Sequence, residues 1–265
     1  MAGDILIDGL PASAEDLAHQ ALVNYGALTS FRVEDGAARG LDLHLQRLTR
    51  SAEILFGQAS VEADLRDLMR RAVEGREDCW LRVSLFSPEI GPRTPSWRGR
   101  PKVMTAVFPP PPPLAKSVKL TVQTYVRETP GLKHVATFGL IQARRRAREA
   151  GFDDALFADR DGRVSEGSLW NIGFIEGERI VWPEAPMLGG VAQALIRAGL
   201  AEAAIEQDTR PIRVEDLTNF DGAFICNSAT PACPVTAIDG AAYAVDAATM
   251  GAVAAAWEAA PLQAI

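Results

Sequence analysis

Gly162-Arg-Val-Ser-Glu-Gly-Ser-Leu-Trp-Asn-Ile-Gly-Phe174 follows an Asp159-Arg-Asp-Gly162 turn, and its reading decides the architecture. Asp-Gly between apolar runs is a strong hairpin signal, so Asp154 to Ala158 and Gly162 to Ser165 are expected to be paired strands. Ile172 to Ile175 and Arg179 to Trp182, joined through Glu176-Gly-Glu178, form a second expected hairpin. Asp159-x-Asp161-Gly162 lacks the other oxygen ligands of a calcium loop and is read as a turn.

Working outward, Val118, Leu120 and Val122 alternate with polar residues, the period of a half-buried strand. Helices are expected over Phe138 to Ala150 and Val191 to Glu206, a short strand over Ala223 to Asn227, and an alanine-rich helix at the end. Pro109-Pro-Pro-Pro-Pro113 cannot donate to a sheet or helix and is read as a linker. On its N-terminal side, Leu41, Leu45, Leu48, Ala52 and Leu55 recur at helical spacing and Gly57 supplies a stop. A second helix is expected from a Ser60 cap, with Val61, Leu65, Leu68, Met69 and Ala72 on one side. Trp80 to Ser87 and Lys102 to Phe108 are strand candidates. The expectation is an α+β protein with a small N-terminal domain over 1–108, a linker over 109–114 and a larger domain over 115–265.

Composition sets limits on function. The 265 residues are 48% hydrophobic and 23% charged, ordinary values for a globular chain. A formal charge of −7 leaves no broad cationic surface for nucleic acid or an anionic membrane. The Arg144-Arg-Arg146 cluster with Arg148 is read as a solvated helix face. Cys79, Cys226, Cys233, His19, His44 and His134 lack the spacing of a zinc site or a disulfide framework, so no metal is expected. The start has no secretory signal pattern and the Gly240 to Ala260 stretch is too charged to span a bilayer, so the expected location is cytoplasmic. Gly-x-Gly-x-x-Gly, a phosphate loop and a Gly-x-Ser-x-Gly elbow are all absent, which removes the dinucleotide, nucleotide and serine-hydrolase templates.

A lysine remains. Lys133, in Thr129-Pro-Gly-Leu-Lys-His134, follows a turn and precedes a helix. Lysine serves as a Schiff-base nucleophile when its ammonium is desolvated or near another cation, although most lysines are solvated surface groups. Thirty-three residues later stands Glu166, then Trp182-Pro-Glu-Ala-Pro-Met-Leu-Gly-Gly-Val-Ala192 and Asn227-Ser-Ala-Thr-Pro-Ala-Cys-Pro-Val235, with His44-Leu-Gln-Arg-Leu48 upstream.

This order, from about Tyr25 to Val235, resembles the class IV aminotransferases. These are fold type IV enzymes that use pyridoxal 5′-phosphate (PLP), and they include branched-chain and D-amino-acid aminotransferases and aminodeoxychorismate lyase. The resemblance implies a two-domain fold of the D-amino-acid aminotransferase type with a mixed-sheet, barrel-like second domain. It implies Lys133 as the Schiff-base lysine and proton carrier, and Glu166 as the carboxylate beside the pyridine nitrogen, where it keeps the ring protonated as an electron sink.

Arg47 matches the phosphate-binding arginine, a role that suits a bidentate guanidinium, and His44 is read as structural. Leu188-Gly-Gly190-Val191-Ala192 matches the turn that packs on the cofactor ring and presents backbone N–H groups to its phosphate. Ala192 departs from the usual threonine, and Ser228 with Ala229 matches a second phosphate position. Phe138 stands where branched-chain enzymes carry a tyrosine that hydrogen-bonds the cofactor, which argues against that subgroup. Tyr25, Thr29 and Arg32 fall on the substrate-side strand. Thr29 replaces the glutamate of branched-chain enzymes, and Thr29-Ser30 with Lys133-His134 are reminiscent of the lyases.

The expected reaction is amino transfer from an amino acid or amine to a keto acid, in a homodimer with no nucleic-acid or membrane partner. A pyruvate-releasing lyase is one alternative, and a non-catalytic cofactor-binding or structural relative is the other.

Overall fold

Two antiparallel ribbons and two helices begin the chain in the computed structural model, which describes residues 4–112 and 115–265. Pro113 and Leu114 of the expected linker lie outside the described residues. The elements sort into two compact units. One comprises 4–112 with Leu132–Ala136 and Pro261–Ile265, and the other comprises 115–131 with Thr137–Ala260.

In the first unit, strands β1 (Asp4–Ile7) and β2 (Leu10–Pro11) precede helix α1 (Ala14–Leu22). Then come β3 (Ala27–Glu34), β4 (Ala37–Arg39), α2 (Leu41–Phe56), α3 (Glu62–Val73), β5 (Asp78–Phe86) and β6 (Lys102–Phe108). The sheet is antiparallel in the order Leu262–Ala264, β4, β3, β5, β6, β1, β2. Side chains alternate across a strand, so Phe31 and Val33 of β3 enter a core with Leu41, Leu45, Leu48 and Phe56 of α2 and Leu65 and Met69 of α3. Each such side chain contributes roughly 1.5–3 kcal/mol on burial. Thr29, in step with Phe31 and Val33, points to the same helix.

Helix α2 stops at Gly57, whose φ of 72° is the left-handed conformation that glycine adopts without penalty. Helix α3 differs from expectation at its start: Val61, not Ser60, is the N-cap, with no side-chain cap bond. Helix α1 was not anticipated from the sequence, and it buries no residue. Its signal is the cap, where the Ser13 hydroxyl accepts the Asp16 N–H.

The second unit contains β7 (Val118–Thr124), α4 (Phe138–Glu149), β8 (Asp154–Ala158), β9 (Val164–Gly167), β10 (Asn171–Glu176), β11 (Arg179–Pro183), α5 (Val191–Glu202), β12 (Gln207–Arg210), β13 (Gly222–Cys226), β14 (Cys233–Ile238), β15 (Ala241–Ala242) and α6 (Ala247–Ala259). Both expected hairpins form, and Gly162 and Gly177 take positive φ in their loops. Helix α5 ends four residues before the expected Glu206. Ala204 takes a positive φ and the chain turns into β12, parallel to β11.

Following the pairings β10, β13, β14, β7, β8, β9 returns to β10, a closed six-stranded ring. Its interior is filled by residues such as Leu120, Leu156, Val164, Ile172, Ile225 and Val235. The pair that closes the ring is Asn171 with Glu166.

Two short segments depart from the expected domain span of 115–265. Leu132–Ala136 and Pro261–Ile265 group with the first unit, so Lys133 shares a unit with Arg47 rather than with Glu166. The cause is long-range strand pairing. Leu28 N–H donates to Lys133 C=O at 2.8 Å and Val135 N–H donates to Gly26 C=O at 3.0 Å, while Leu262–Ala264 pairs with β4.

Candidate active site

The residues singled out in the sequence form two sets, one in each unit. In the first, the Lys133 segment is annealed to the start of β3, with Ala27 bridging His134. Gly26 is required there, because a Cβ would lie 2.3 Å from the Leu85 carbonyl oxygen. Lys133 is half-buried.

Near it lies His44, 1% exposed, whose ring packs 4.5 Å from Phe31 and whose Nδ1 is 2.6 Å from Thr29 Oγ1. Burial holds the imidazole well below its ordinary range, and the charges of Arg47 and Lys133 push it the same way. A neutral histidine is therefore flanked electrostatically by two cations, a setting that favours an anion. Thr29 is fully buried and its hydroxyl is engaged by His44. Arg32 lies on the opposite face of β3 in a bidentate bond to Asp78, both distances 2.8 Å, and that guanidinium lowers the Asp78 carboxyl. Tyr25 is part-exposed, with its hydroxyl 3.4 Å from Leu55 O.

In the second unit, Glu166 is buried and accepts the Leu188 N–H on Oε1 at 3.1 Å. Asn171, its partner in ring closure, donates from Nδ2 to Leu188 C=O at 2.9 Å. Two residues on, Gly190 is the N-cap of α5 and provides no side-chain cap. A Cβ on Gly190 would lie 2.0 Å from Asn171 Oδ1, so only glycine lets the turn sit against that amide.

The N–H groups of Val191, Ala192 and Gln193 precede the first helical bond, Ala194 N–H to Gly190 C=O. Gln193 is buried, and its Nε2 makes no hydrogen bond among the described residues. Ser228 and Ala229 form the tip of a turn locked by Asn227. The Asn227 Oδ1 accepts the Ala229 and Thr230 N–H groups at 2.9 and 2.7 Å, and its Nδ2 donates to Leu169 C=O at 3.2 Å. Phe138 is 74% exposed.

Three residues that hold these groups were missed in the sequence. Asn171 stands inside the quoted stretch but reads as an ordinary strand residue. Asp154 is a buried carboxylate that takes the Ser168 hydroxyl at 2.7 Å and the Trp170 indole N–H at 3.0 Å, anchoring the loop after Glu166. Arg127 reaches Glu166 at 3.7 Å. Its only sequence signal was a cation six residues before Lys133, which spacing alone does not interpret. Among the described residues no group of three or more His, Cys, Asp or Glu could hold a metal ion, and no helix is long and apolar enough to cross a membrane.

A carboxylate and an uncapped helix start, joined through one turn carrying an apolar leucine, suit an aromatic cofactor with a cationic ring nitrogen and an anionic phosphate. The family follows from comparison. The model of the class IV amino-transferases matches residues 26–238, and the chain belongs to that family.

Among its curated relatives, a putative branched-chain-amino-acid aminotransferase of Methanocaldococcus jannaschii is 26% identical, over 88% of this chain and 85% of the relative. A bifunctional aminodeoxychorismate lyase / D-amino acid transaminase of Mycobacterium tuberculosis is 29% identical over 90% of each. A branched-chain amino acid aminotransferase of T.th., solved with pyridoxamine 5′-phosphate, superposes with a TM-score of 0.85 at 21% identity, over 98% of this chain and 94% of that one. The fold type and the enzyme class expected from the motif order are thus those of its family and its structural neighbours.

Proposed function

We propose that this protein is a PLP-dependent aminotransferase that moves an amino group from an amino acid or amine to a keto acid. The observation that carries the reading is the Glu166–Leu188–Gly190 arrangement: a buried carboxylate for the ring nitrogen, and an uncapped helix start two residues beyond the leucine for the phosphate. When bound, the cofactor supplies the electron sink for the substrate carbanion.

The residues divide the remaining work. The Arg47 guanidinium and the N–H groups at Val191 and Ala192 take the phosphate, with the Ser228–Ala229 turn as a further contact. Glu166 holds a proton at the ring nitrogen. The Lys133 amine takes the proton from the substrate's α-carbon and returns it to the acceptor. Leu188 covers the ring. Tyr25, Thr29 and Arg32 belong to the strand that faces the substrate in this reading. Thr29 acts there through His44, since its hydroxyl is already engaged. The family resemblance supports a cytoplasmic homodimer, and light scattering of the purified protein checks the dimer.

The purified protein is expected to show a visible absorbance band that borohydride bleaches, with the reduced cofactor on the Lys133 peptide in mass spectrometry. A colourless protein that added PLP leaves colourless defeats the reading. A lyase reaction is the second reading, supported by Thr29 and by the lyase named among the relatives. Pyruvate release from aminodeoxychorismate without any keto acid present would establish it in place of amino transfer.

A further inference from the structure

Glu166 has a partner that the functional reading does not use. Arg127 lies in the segment after β7, and its side chain and that of Glu166 are each only 5% exposed, with Nε 3.7 Å from Oε1. That same oxygen accepts the Leu188 N–H. Most other ion pairs among the described residues, such as Arg145–Glu149 and Arg100–Asp64, are solvated and contribute little. A buried pair is different: two charges taken out of water must be matched in place, and removing one leaves the other uncompensated. Tyr125 lies close enough to feel these charges, and the exposed Glu128 adds to them. Burial raises the Tyr125 phenol, with Arg127 opposing and Glu128 and Glu166 adding to the rise.

We propose that Arg127 is a positioning residue for the cofactor's ring nitrogen, acting through Glu166. The guanidinium keeps Glu166 an anion and, with the Leu188 N–H, fixes the direction of its carboxylate. Residues that orient a ligand-contacting group in this way tune the group without touching the ligand. In this role Arg127 acts on Glu166 rather than on the reacting atoms. The inference rests on the PLP reading above, and its test separates the two.

The experiment loads the full-length protein with PLP labelled with nitrogen-15 in the ring and follows the ring-nitrogen signal across pH, together with the dissociation constant for PLP. In Arg127→Gln the signal is expected to move toward the unprotonated position at neutral pH, and PLP is expected to bind about tenfold more weakly, the scale of a weakened charged hydrogen bond. Arg127→Lys keeps the charge and should restore the protonated signal. Since the lysine variant leaves no buried charge unmatched, it keeps the proposal falsifiable should the glutamine variant not fold: an unprotonated ring in Arg127→Lys overturns it. A protonated ring and unchanged affinity in Arg127→Gln also overturn it, while leaving the PLP reading intact. A wild type that carries no PLP on Lys133 overturns both.

Discussion

The two sets of site residues are built in different ways. Lys133 is placed by backbone: two main-chain hydrogen bonds and a bridge attach its segment to β3, and the glycine that makes room for them contributes no side chain at all. Glu166 is placed by side chains: Asn171 and Glu166 close the ring and grip both polar groups of Leu188, while Asp154 collects Ser168 and Trp170 beneath the intervening loop. Main-chain placement tolerates most substitutions nearby but not a lost close approach. Side-chain placement fails one residue at a time, because each buried polar group left unmatched is destabilising.

The largest effect expected is from Lys133→Ala, which removes the proton carrier from a backbone that should stay in register. Turnover is expected to fall by at least about 10²-fold, the lower end for a lost acid–base group, while the circular dichroism spectrum and melting temperature stay close to wild type. A large loss of stability would show that the lysine side chain, not the backbone, anchors the segment.

Asn171→Ala comes next and tests the opposite principle. It unties the Leu188 carbonyl and empties the space against Gly190, and PLP affinity is expected to drop about tenfold, measured by absorbance titration. Unchanged affinity would mean that the Glu166 contact alone orients the turn.

In the first unit, Thr29→Val leaves His44 Nδ1 without its partner and is expected to cost about 1–3 kcal/mol in denaturant unfolding. The same histidine sets a pH dependence. Its imidazole is held below the ordinary value of 6.5 in the folded state, so the unfolded chain binds the extra proton first. The stabilisation is complete above pH 6.5 and is lost as the pH falls below it, at no more than about 1.4 kcal/mol per pH unit. His44→Gln should flatten that part of the stability profile, and a profile identical to wild type would remove His44 as its source.

The smallest effect is expected from Arg32→Ala. Its bidentate pair with Asp78 is exposed, and loss of a surface pair changes unfolding by roughly 0–1 kcal/mol. A KM change for the amino donor without a stability change would place Arg32 on the substrate side. No KM change would mark it as a surface residue.

Local pattern determined much of this protein by itself. The leucine stripe of α2, the Asp-Gly and Gly-Glu turns, and the alternation of β7 each depend on neighbours a few residues away, which is the range over which periodicity and turn chemistry act. The order of Lys133, Glu166, Leu188-Gly-Gly190 and Ser228 was enough to indicate the family.

Tertiary structure decided the rest, because it depends on contacts between distant residues. That Leu132–Ala136 joins the unit of Arg47, and that the last strand leaves the alanine-rich helix to pair with β4, follow from strand pairing between segments far apart in the chain, which no local pattern encodes. That Thr29 bonds His44 inside the core rather than standing open follows from the register of β3 over α2. Asn171, Asp154 and Arg127 acquire their roles only when the six-stranded ring closes and takes their polar groups out of water. Once desolvated, such groups must find one another, and which ones meet is set by the fold rather than by the residues beside them in the chain.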